Sequence, residues 1–401
     1  MRVRSSVRAV ALASMLLAAT ALLAGCVSTA SATPGPAPQA PPAAAPAAAP
    51  QVTLTPADGA TGVVPAAPIT VAATDGTLTG VTLTAANGTT IPGALSADGH
   101  TWTATAPPAY KTVYHLAGTA TGAGGSTPVT GAFTTVSPMR LAHAETNIGD
   151  GDVVGIAAPI EIRFDRTIPA SGRAAAERAL KVTTSTPVTG SWAWLPDADY
   201  GSRVHWRPAT YWPASTTVTV NAHLYGVDMG NAVFGANDVN TTFTVGRAQI
   251  VQADVTTHRM VVIRDGQIVS DLPASYGLES DPNRVTKSGT HIVMSKAETV
   301  LMTNIPYGYK DLPEHWAVRI SNNGEFIHAN PASVWAQGKS NTTHGCVNLS
   351  TANAKAYYDT AIYGDPVEVT GSSRQLSAAD GDVYDWAIPL DTWKSMSALA
   401  Q

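Results

Sequence analysis

Residues 62–71 read GVVPAAPITV, and residues 152–162 return to the same pattern as DVVGIAAPIEI. Runs of Val, Ile and Thr of this length, broken by Pro and Gly, are typical of short β-strands. A pattern that returns along the chain indicates a duplicated structural unit. We therefore expect two related β units, covering residues 51–138 and 139–247.

Two further features return at matching places in both units. Trp102 precedes PPAY at residues 107–110, and Trp206 precedes the similar PATY at residues 208–211. Each unit then closes on a strand-like run, AFTTV at residues 132–136 and TFTV at residues 242–245. Units of this size and strand spacing are typical of immunoglobulin-like β-sandwiches, although neither contains a cysteine for the disulfide of antibody domains. The one helix expected in them covers residues 172–180.

The composition suits an exported β-rich protein. Only 13% of the 401 residues are charged and the formal net charge is −5. Mild acidity without a basic block argues against nucleic acid as a partner. The two cysteines, Cys26 and Cys346, are too few for a disulfide-stapled scaffold or a thiolate zinc cluster.

Residues 1–25 have the pattern of a signal peptide, with three arginines before an uncharged run at residues 9–23. That run is short for a membrane span, which needs about 20 apolar residues. It ends in LAGC, which resembles the bacterial lipobox, whose cysteine is lipidated and becomes the first mature residue. The alternative is an ordinary cleavage site at residues 19–21 with Cys26 incidental. The small residues directly before Cys26 favour lipidation.

A spacer follows the expected anchor, so that residues 26–50 comprise the lipidated cysteine and a linker. Of the 19 residues from 32 to 50, 16 are Ala or Pro, and they show no periodicity that could bury a core. Such a stretch is expected to be semi-extended. We expect an exported protein, anchored by lipid to the outer face of the cytoplasmic membrane, in the cell envelope.

The third part, residues 248–371, differs in character, since it combines strong hairpin signals with one credible helix. The first hairpin pairs residues 260–264 with 267–269 across Asp-Gly, the second pairs 316–320 with 325–328 across Asn-Asn-Gly, and the helix covers 352–362. A mixed, mostly β domain with one helix is therefore expected. The tail, residues 372–401, is expected to pack its two tryptophans against the catalytic or the neighbouring β unit.

The second cysteine lies in TTHGCVN, residues 342–348. An unpaired cysteine is a liability in an oxidising compartment unless it reacts. Gly345 permits a sharp turn that would leave the N–H groups of Gly345 and Cys346 free to face a developing oxyanion. A nucleophilic thiol needs a base, and His328, at the end of a strand 18 residues earlier, is better placed than the nearby His344.

Simpler interpretations remain open for the same residues. A lone cysteine is usually a small core side chain, and a histidine at a strand end is more often structural than catalytic. Two histidines and a cysteine could also bind zinc, but no carboxylate or further thiol is spaced to complete such a site. We therefore expect no metal and no cofactor.

The segment from residue 343 to 348 resembles the [Ser/Thr]-His-Gly-Cys-x-Asn signature of L,D-transpeptidases, whose catalytic fold is YkuD-like. The similarity extends through residues 331–333, residues 336–338 and the following helix. With the lipobox and two sandwiches in front, the chain resembles the actinobacterial type. The fold class implied is mainly β, with two immunoglobulin-like sandwiches followed by a mostly β YkuD-like catalytic domain.

The resemblance implies peptidoglycan cross-linking. The cysteine attacks the carbonyl before the terminal D-Ala of a donor tetrapeptide stem, and a diamino-acid amine of an acceptor stem resolves the acyl-enzyme, giving a 3→3 link. Cys346 would be the nucleophile and His328 the general acid/base, oriented by the backbone carbonyl of Ala329. His344 and Gly345, with an asparagine two positions after the cysteine, would shape the oxyanion site.

The resemblance also implies substrate contacts and a lid. The contacts expected are Tyr307, Asn323, Gly324, Thr343 and Asn348. The lid is shortened to residues 304–315, with Tyr307-Gly308-Tyr309 as its aromatic tip. A second substrate-facing tyrosine of the family has no clear counterpart, and Tyr309 or Trp316 could replace it.

The family further implies acylation by carbapenem β-lactams, because a thiolate can open a strained lactam. Two other functions remain open: an L,D-carboxypeptidase, with water replacing the acceptor amine, and a non-catalytic wall-binding lipoprotein. The sandwiches are expected to act as spacers, since no cluster of aromatic or charged residues favours binding to the wall or to a protein.

Overall fold

The computed structural model describes residues 47–381 and 383–400. The expected signal peptide, Cys26 and most of the Ala/Pro linker lie outside the described residues. The described part of the chain is mostly β, as the sequence predicts. No helix among the described residues is long and apolar enough to cross a membrane.

The first unit consists of two packed antiparallel sheets joined by short turns. Its strands are β1 (Gln51–Thr55), β2 (Ala60–Val63), β3 (Thr70–Thr74), β4 (Thr77–Ala85), β5 (Thr90–Ile91), β6 (Gly93–Leu95), β7 (Thr101–Ala104), β8 (Val113–Gly122) and β9 (Gly125–Thr135). One sheet has the order β1-β3-β7-β6, and the other has the order β2-β9-β8-β4-β5, in which β2 alone pairs parallel. The apolar faces of both sheets form one core.

The second unit repeats this topology. Its elements are β10 (Arg140–Ala142), β11 (Ala144–Thr146), β12 (Val153–Val154), β13 (Ile160–Phe164), α1 (Ala170–Arg178), β14 (Leu180–Thr184), β15 (Gly190–Trp194), β16 (Arg203–Pro208), β17 (Thr217–Ala222), β18 (Val233–Gly235) and β19 (Val239–Val245). The sheets β11-β13-β16-β15 and β12-β19-β17-β14 match those of the first unit, including the parallel pair β12–β19. The helix expected over residues 172–180 begins two residues earlier.

The two repeated tryptophans occupy equivalent places. Trp102 and Trp206 are 5% and 6% exposed, on β7 and β16. A glycine on the neighbouring strand lies under each indole, since a Cβ at Gly93 would come within 2.0 Å of Trp102 and one at Gly190 within 2.2 Å of Trp206. Only glycine permits this approach. The duplication seen in the sequence is therefore also a duplication of packing.

The third unit contains the two predicted hairpins and the predicted helix. Its elements are β20 (Gln249–Asp254), β21 (Arg259–Arg264), β22 (Gln267–Pro273), β23 (Gly289–Ile292), β24 (Ser295–Asn304), β25 (Tyr309–Arg319), β26 (Phe326–Ala329), β27 (Val347–Leu349), α2 (Thr351–Thr360) and β28 (Pro366–Thr370). Two sheets result, β22-β21-β20-β28-β23 and β24-β25-β26-β27, and α2 packs on the second. Ser350 caps α2 by accepting a hydrogen bond from the N–H of Asn353 at 3.3 Å.

The expected lid is not a loop. Residues 304–315 form the tip of a hairpin, because β24 and β25 pair from Ser295 with Arg319 out to Asn304 with Tyr309. A single 3-10 turn, Ile305–Tyr307, reverses the chain, and Gly308 follows it with φ +80°. The first strand of the second predicted hairpin, expected at residues 316–320, therefore begins much earlier, at Tyr309.

The tail packs on the second sandwich. Trp393 of α3 (Leu390–Ser395) is fully buried and donates its Nε1–H to the carbonyl of Ser191 at 3.0 Å. Trp386 donates to the carbonyl of Ala157 at 2.8 Å. The guanidinium of Arg207 lies over both indoles, 4.7 and 4.8 Å from their centres. These contacts bury the apolar faces of both rings while satisfying their N–H groups.

A buried cluster of charged residues joins the same tail to the second sandwich. His205, fully buried, has Nε2 at 3.1 Å from Glu161 Oε1 and Nδ1 at 2.9 Å from Asp385 Oδ1. Burial opposes the charged form of His205, but Asp385 and Glu161 outweigh it and raise its pKa to about 9. For Glu161 burial likewise opposes the charge, and His205 and Arg163 nevertheless lower its pKa. The cluster therefore joins the second sandwich to the tail as an ion pair network.

One further ion pair joins the second sandwich to the third unit. Arg247, just after β19, donates to both carboxylate oxygens of Asp365 at 2.9 and 2.6 Å. Asp365 has a fully buried side chain, and burial raises its pKa despite the arginine. A bidentate buried pair of this kind constrains orientation, because breaking it would leave a charge unpaired.

Candidate active site

The second sheet of the third unit brings Cys346 next to His328. Strands β26 and β27 run parallel with His328 opposite Asn348, and Cys346 immediately precedes β27. His328 and Cys346 are 3% and 9% exposed. Both side chains line the same cavity, and Cys346 acts on His328 to raise its pKa. The distant histidine is therefore the partner of the thiol, as its spacing in the sequence indicates.

The imidazole of His328 is held from the side opposite the thiol. Its Nδ1 lies 3.0 Å from the carbonyl oxygen of Ala329 and 3.0 Å from Oε2 of Glu314. Burial alone would lower the pKa of His328, but the contacts with Cys346 and Glu314 raise it to about 10. With Nδ1 occupied, Nε2 is the nitrogen available to the thiol. Glu314 was not among the residues predicted from the sequence.

The nucleophile loop is braced by two threonine hydroxyls. Thr343 Oγ1 donates to the carbonyl of Cys346 at 2.7 Å and accepts the N–H of Gly345 at 3.3 Å. Thr286 Oγ1 donates to the carbonyl of Gly345 at 2.8 Å. The expectation that both amides are free for an oxyanion is therefore wrong for Gly345, whose N–H is already engaged, and the N–H of Cys346 remains as the candidate donor.

His344 contacts the lid. Its ring packs edge-on against Tyr307 at 4.8 Å and Tyr309 at 5.5 Å between ring centres. Burial, followed by the nearby Arg284 cation, lowers the pKa of His344. A neutral imidazole packed between two tyrosines suits a wall of the site better than a proton donor. It couples the nucleophile loop to the lid.

A second connection, missed in the sequence, joins the lid to the nucleophile loop. Arg284 Nε donates to the carbonyl of Thr343 at 3.0 Å, and its guanidinium lies 5.9 Å from the centre of the Tyr307 ring. The hydroxyl of Tyr307 donates to Asp281 Oδ2 at 3.0 Å. Both charged residues lie in the long segment between β22 and β23, where no sequence pattern marks them.

A cavity of about 380 Å³ opens over the thiol and the imidazole. Of the residues predicted from the sequence, those that line it are His328, Thr343, His344, Cys346 and Asn348, together with Tyr309. Trp316, the alternative to Tyr309, instead packs against Tyr358 of α2 at 5.4 Å. Within residues 47–381 and 383–400, no group of three or more His, Cys, Asp or Glu could hold a metal ion.

Three expected substrate contacts lie away from the cavity lining. Tyr307 packs on His344, as described above. Asn323 donates its side-chain N–H to Asp380 Oδ1 at 3.1 Å and so holds the tail segment. Gly324 presents its carbonyl to Cys346 Sγ at 3.7 Å. The turn that contains Asn323 and Gly324 therefore contacts the nucleophile and the tail, and its role in binding substrate stays a prediction.

Asn348 has an unused acceptor in the cavity. The residue is 4% exposed, and its Nδ2 donates to Ser333 Oγ at 3.3 Å. Its Oδ1 is buried and has no hydrogen-bond partner within the described part of the chain. A buried acceptor left unpaired is costly, so this oxygen is a polar atom of the site that the fold itself does not satisfy.

Gly345→Ala should loosen the nucleophile loop without a steric clash. A Cβ there would meet Glu325 Cγ at 3.5 Å, an ordinary contact, but Gly345 has φ +108°, a conformation that L-residues rarely adopt. We expect a loss of about 1–3 kcal/mol in the free energy of unfolding and slower alkylation of Cys346 by iodoacetamide. Urea titration and peptide mapping measure both effects.

Gly266→Ala is the matched control, because Gly266 has φ +78° in the remote turn between β21 and β22 with open space around it. It should lose similar stability while Cys346 alkylates at the wild-type rate. Equal slowing in both variants would contradict a specific role for Gly345.

Comparison with known proteins agrees with this architecture. A family model described as L,D-transpeptidase catalytic domain matches residues 248–369, and one described as bacterial Ig domain matches residues 60–228. The first model thus covers the unit that contains Cys346 and His328. The second spans most of both sandwiches.

Curated relatives match over most of their length. L,D-transpeptidase 5 of Mycobacterium tuberculosis is 53% identical, with 87% of this chain and 77% of the relative covered. L,D-transpeptidase 2 of the same species is 40% identical over 87% of this chain and 85% of the relative. A solved L,D-transpeptidase in complex with imipenem is 34% identical, covering 58% of this chain and 100% of that chain, with a TM-score of 0.48. The chain therefore belongs to the L,D-transpeptidase family.

Proposed function

We propose that the protein forms 3→3 cross-links between peptidoglycan stem peptides through a thioester on Cys346. The observation that supports this most directly is a buried thiol and a buried histidine that line the same cavity of about 380 Å³. A nucleophile paired with an oriented base is the arrangement that acyl transfer through a covalent intermediate requires.

Acylation begins from the Cys346 thiolate and the His328 imidazolium. The sulfur attacks the carbonyl carbon that precedes the terminal D-Ala of a donor tetrapeptide. The N–H of Cys346 is positioned to donate to the resulting oxyanion. When the C–N bond breaks, the proton on His328 Nε2 passes to the leaving nitrogen. D-Ala therefore leaves with a neutral amino group, and the donor stem remains attached to Cys346 as a thioester.

Deacylation reverses the roles of the same groups. The side-chain amine of the acceptor diamino acid attacks the thioester, and neutral His328 takes its proton. The C–S bond breaks, which regenerates thiolate and imidazolium and releases the cross-linked stems.

Carbapenems should react at the same thiol. The solved relative bound to imipenem is an L,D-transpeptidase. In this chain, thiolate attack on the lactam carbonyl would break the lactam C–N bond, with His328 protonating the nitrogen. The ring-opened drug would remain attached to Cys346 as a thioester.

We also propose export and lipid anchoring through Cys26, which the arginines, apolar run and LAGC sequence support. In bacteria fed a fatty-acid analogue, the wild-type protein should incorporate label and fractionate with membranes. Cys26→Ala should do neither. Labelling of the alanine variant would refute the anchor.

Reaction of the purified full-length protein with imipenem, and separately with tetrapeptide stems, should give one covalent adduct per chain by intact-mass spectrometry. Peptide mapping should place it on Cys346, which distinguishes it from Cys26. Stems should also yield cross-linked dimer.

Cys346→Ala should lose both adducts and all dimer, whereas Cys26→Ala should keep them. An equal adduct on Cys346→Ala would contradict the proposed nucleophile, and no adduct on wild type would favour a non-catalytic wall-binding protein. Tripeptide without dimer would identify an L,D-carboxypeptidase.

A further inference from the structure

Glu314 lies beside the base and has no part in the mechanism so far. Its Oε2 is 3.0 Å from Nδ1 of His328, and the two side chains are 13% and 4% exposed. Glu314 is also one of the residues that line the cavity above Cys346. We propose that Glu314 is a positioning residue that accepts the Nδ1–H of His328, directs Nε2 at the thiol and stabilises the imidazolium. This inference rests on the proposed function, because it assigns a role within the same site.

An irregularity in β25 places Glu314 on the correct face. His315 lies opposite Ala329, but Val318 lies opposite Ile327, so two residues of β25 oppose His328 alone. This is a β-bulge, and Trp316 within it has φ +53°. Without the bulge, the alternation of side chains would direct Glu314 to the face opposite His328. With it, Glu314 becomes a diagonal neighbour on the same face.

The carboxylate of Glu314 supplies a negative charge, which the backbone carbonyl of Ala329 does not. Both acceptors at Nδ1 favour the tautomer with its proton on Nδ1, which leaves Nε2 as the base. Only Glu314 also carries a negative charge, which stabilises the imidazolium formed when the thiol gives up its proton. The base is thereby kept charged, and so able to protonate the leaving amine, over a wider range of pH.

Few other charged or titratable groups act on His328. Cys346 faces it from the loop before β27 and Glu314 from β25. Tyr309, at the start of β25, has its pKa raised by burial, then by Cys346, with a smaller contribution from Glu314. The cation Arg284 acts on Tyr309 and His344. Glu314 is therefore the group whose replacement should shift the titration of His328 while leaving the nucleophile intact.

The test is the pH dependence of Cys346 acylation by imipenem in the full-length protein. The alkaline limb of the rate reports loss of the imidazolium proton that the leaving nitrogen requires. Glu314→Gln keeps the shape but removes the charge, so the alkaline limb should move to lower pH by about one to three units. Glu314→Asp keeps the charge on a shorter side chain, so its alkaline limb should lie between those of Glu314→Gln and the wild type.

Glu298→Gln is the matched control, since Glu298 is exposed on the neighbouring strand β24. It should leave the pH profile at its wild-type position. A Glu314→Gln profile that coincides with wild type would overturn the proposal, provided that wild type is acylated on Cys346. Absence of any Cys346 adduct in wild type would instead contradict the proposed function itself.

A measurement on the wild-type protein covers the case in which Glu314→Gln fails to fold. Nitrogen NMR of the imidazole of His328 should show the proton of the neutral ring on Nδ1. A neutral ring protonated on Nε2 would overturn the proposal, because Nδ1 would then have no proton to donate to Glu314.

Discussion

The placement of one imidazole ring, between the thiol of Cys346 and two oxygen acceptors, is the constraint on which the site depends. A buried histidine costs free energy when charged unless oppositely charged groups compensate. Here the compensation comes from Cys346 on one side and Glu314 on the other, and the pKa of His328 rises to about 10. The ring is therefore suited to hold a proton next to the thiol, and the surrounding strands keep it there.

The rest of the architecture holds this sheet in place. Parallel pairing of β26 with β27 sets the register between His328 and the nucleophile loop. Arg284 and the threonine hydroxyls brace that loop, and the lid hairpin closes on His344. Farther away, the Arg247–Asp365 pair and the His205 cluster join the second sandwich to the third unit and to the tail. Each of these contacts constrains the orientation of the elements that it joins.

Most of the fold could be predicted because its signals are local or repeated. The duplicated GVVPAAPITV pattern predicts two sandwiches, and the structure shows equivalent sheets with a glycine beneath Trp102 and beneath Trp206. The Asp-Gly hairpin and the capped helix depend on a few adjacent residues. Cys346 and His328 could be paired because a reactive thiol needs a base and few histidines are suitably spaced.

The features that could not be predicted depend on register or on distant contacts. Glu314 reaches His328 only because a bulge in β25 changes the face of the sheet on which its side chain lies. The bulge contains no glycine, and no sequence signal marks it. The hydrogen bond from the Asn323 amide to Asp380 in the tail joins residues 57 positions apart, and no local pattern predicts it. The amide of Gly345 was expected to be free, but the hydroxyl of Thr343 two residues earlier accepts it.

If His328 performs both proton transfers at Cys346, its loss must slow acylation and transfer alike, and rapid-quench kinetics with tetrapeptide stems separate the two steps. D-Ala release reports acylation, and dimer formation reports transfer to the acceptor amine. We expect His328→Gln to slow both by about 10²–10⁴-fold in a protein that remains folded. Wild-type rates of D-Ala release and dimer formation in His328→Gln would contradict it.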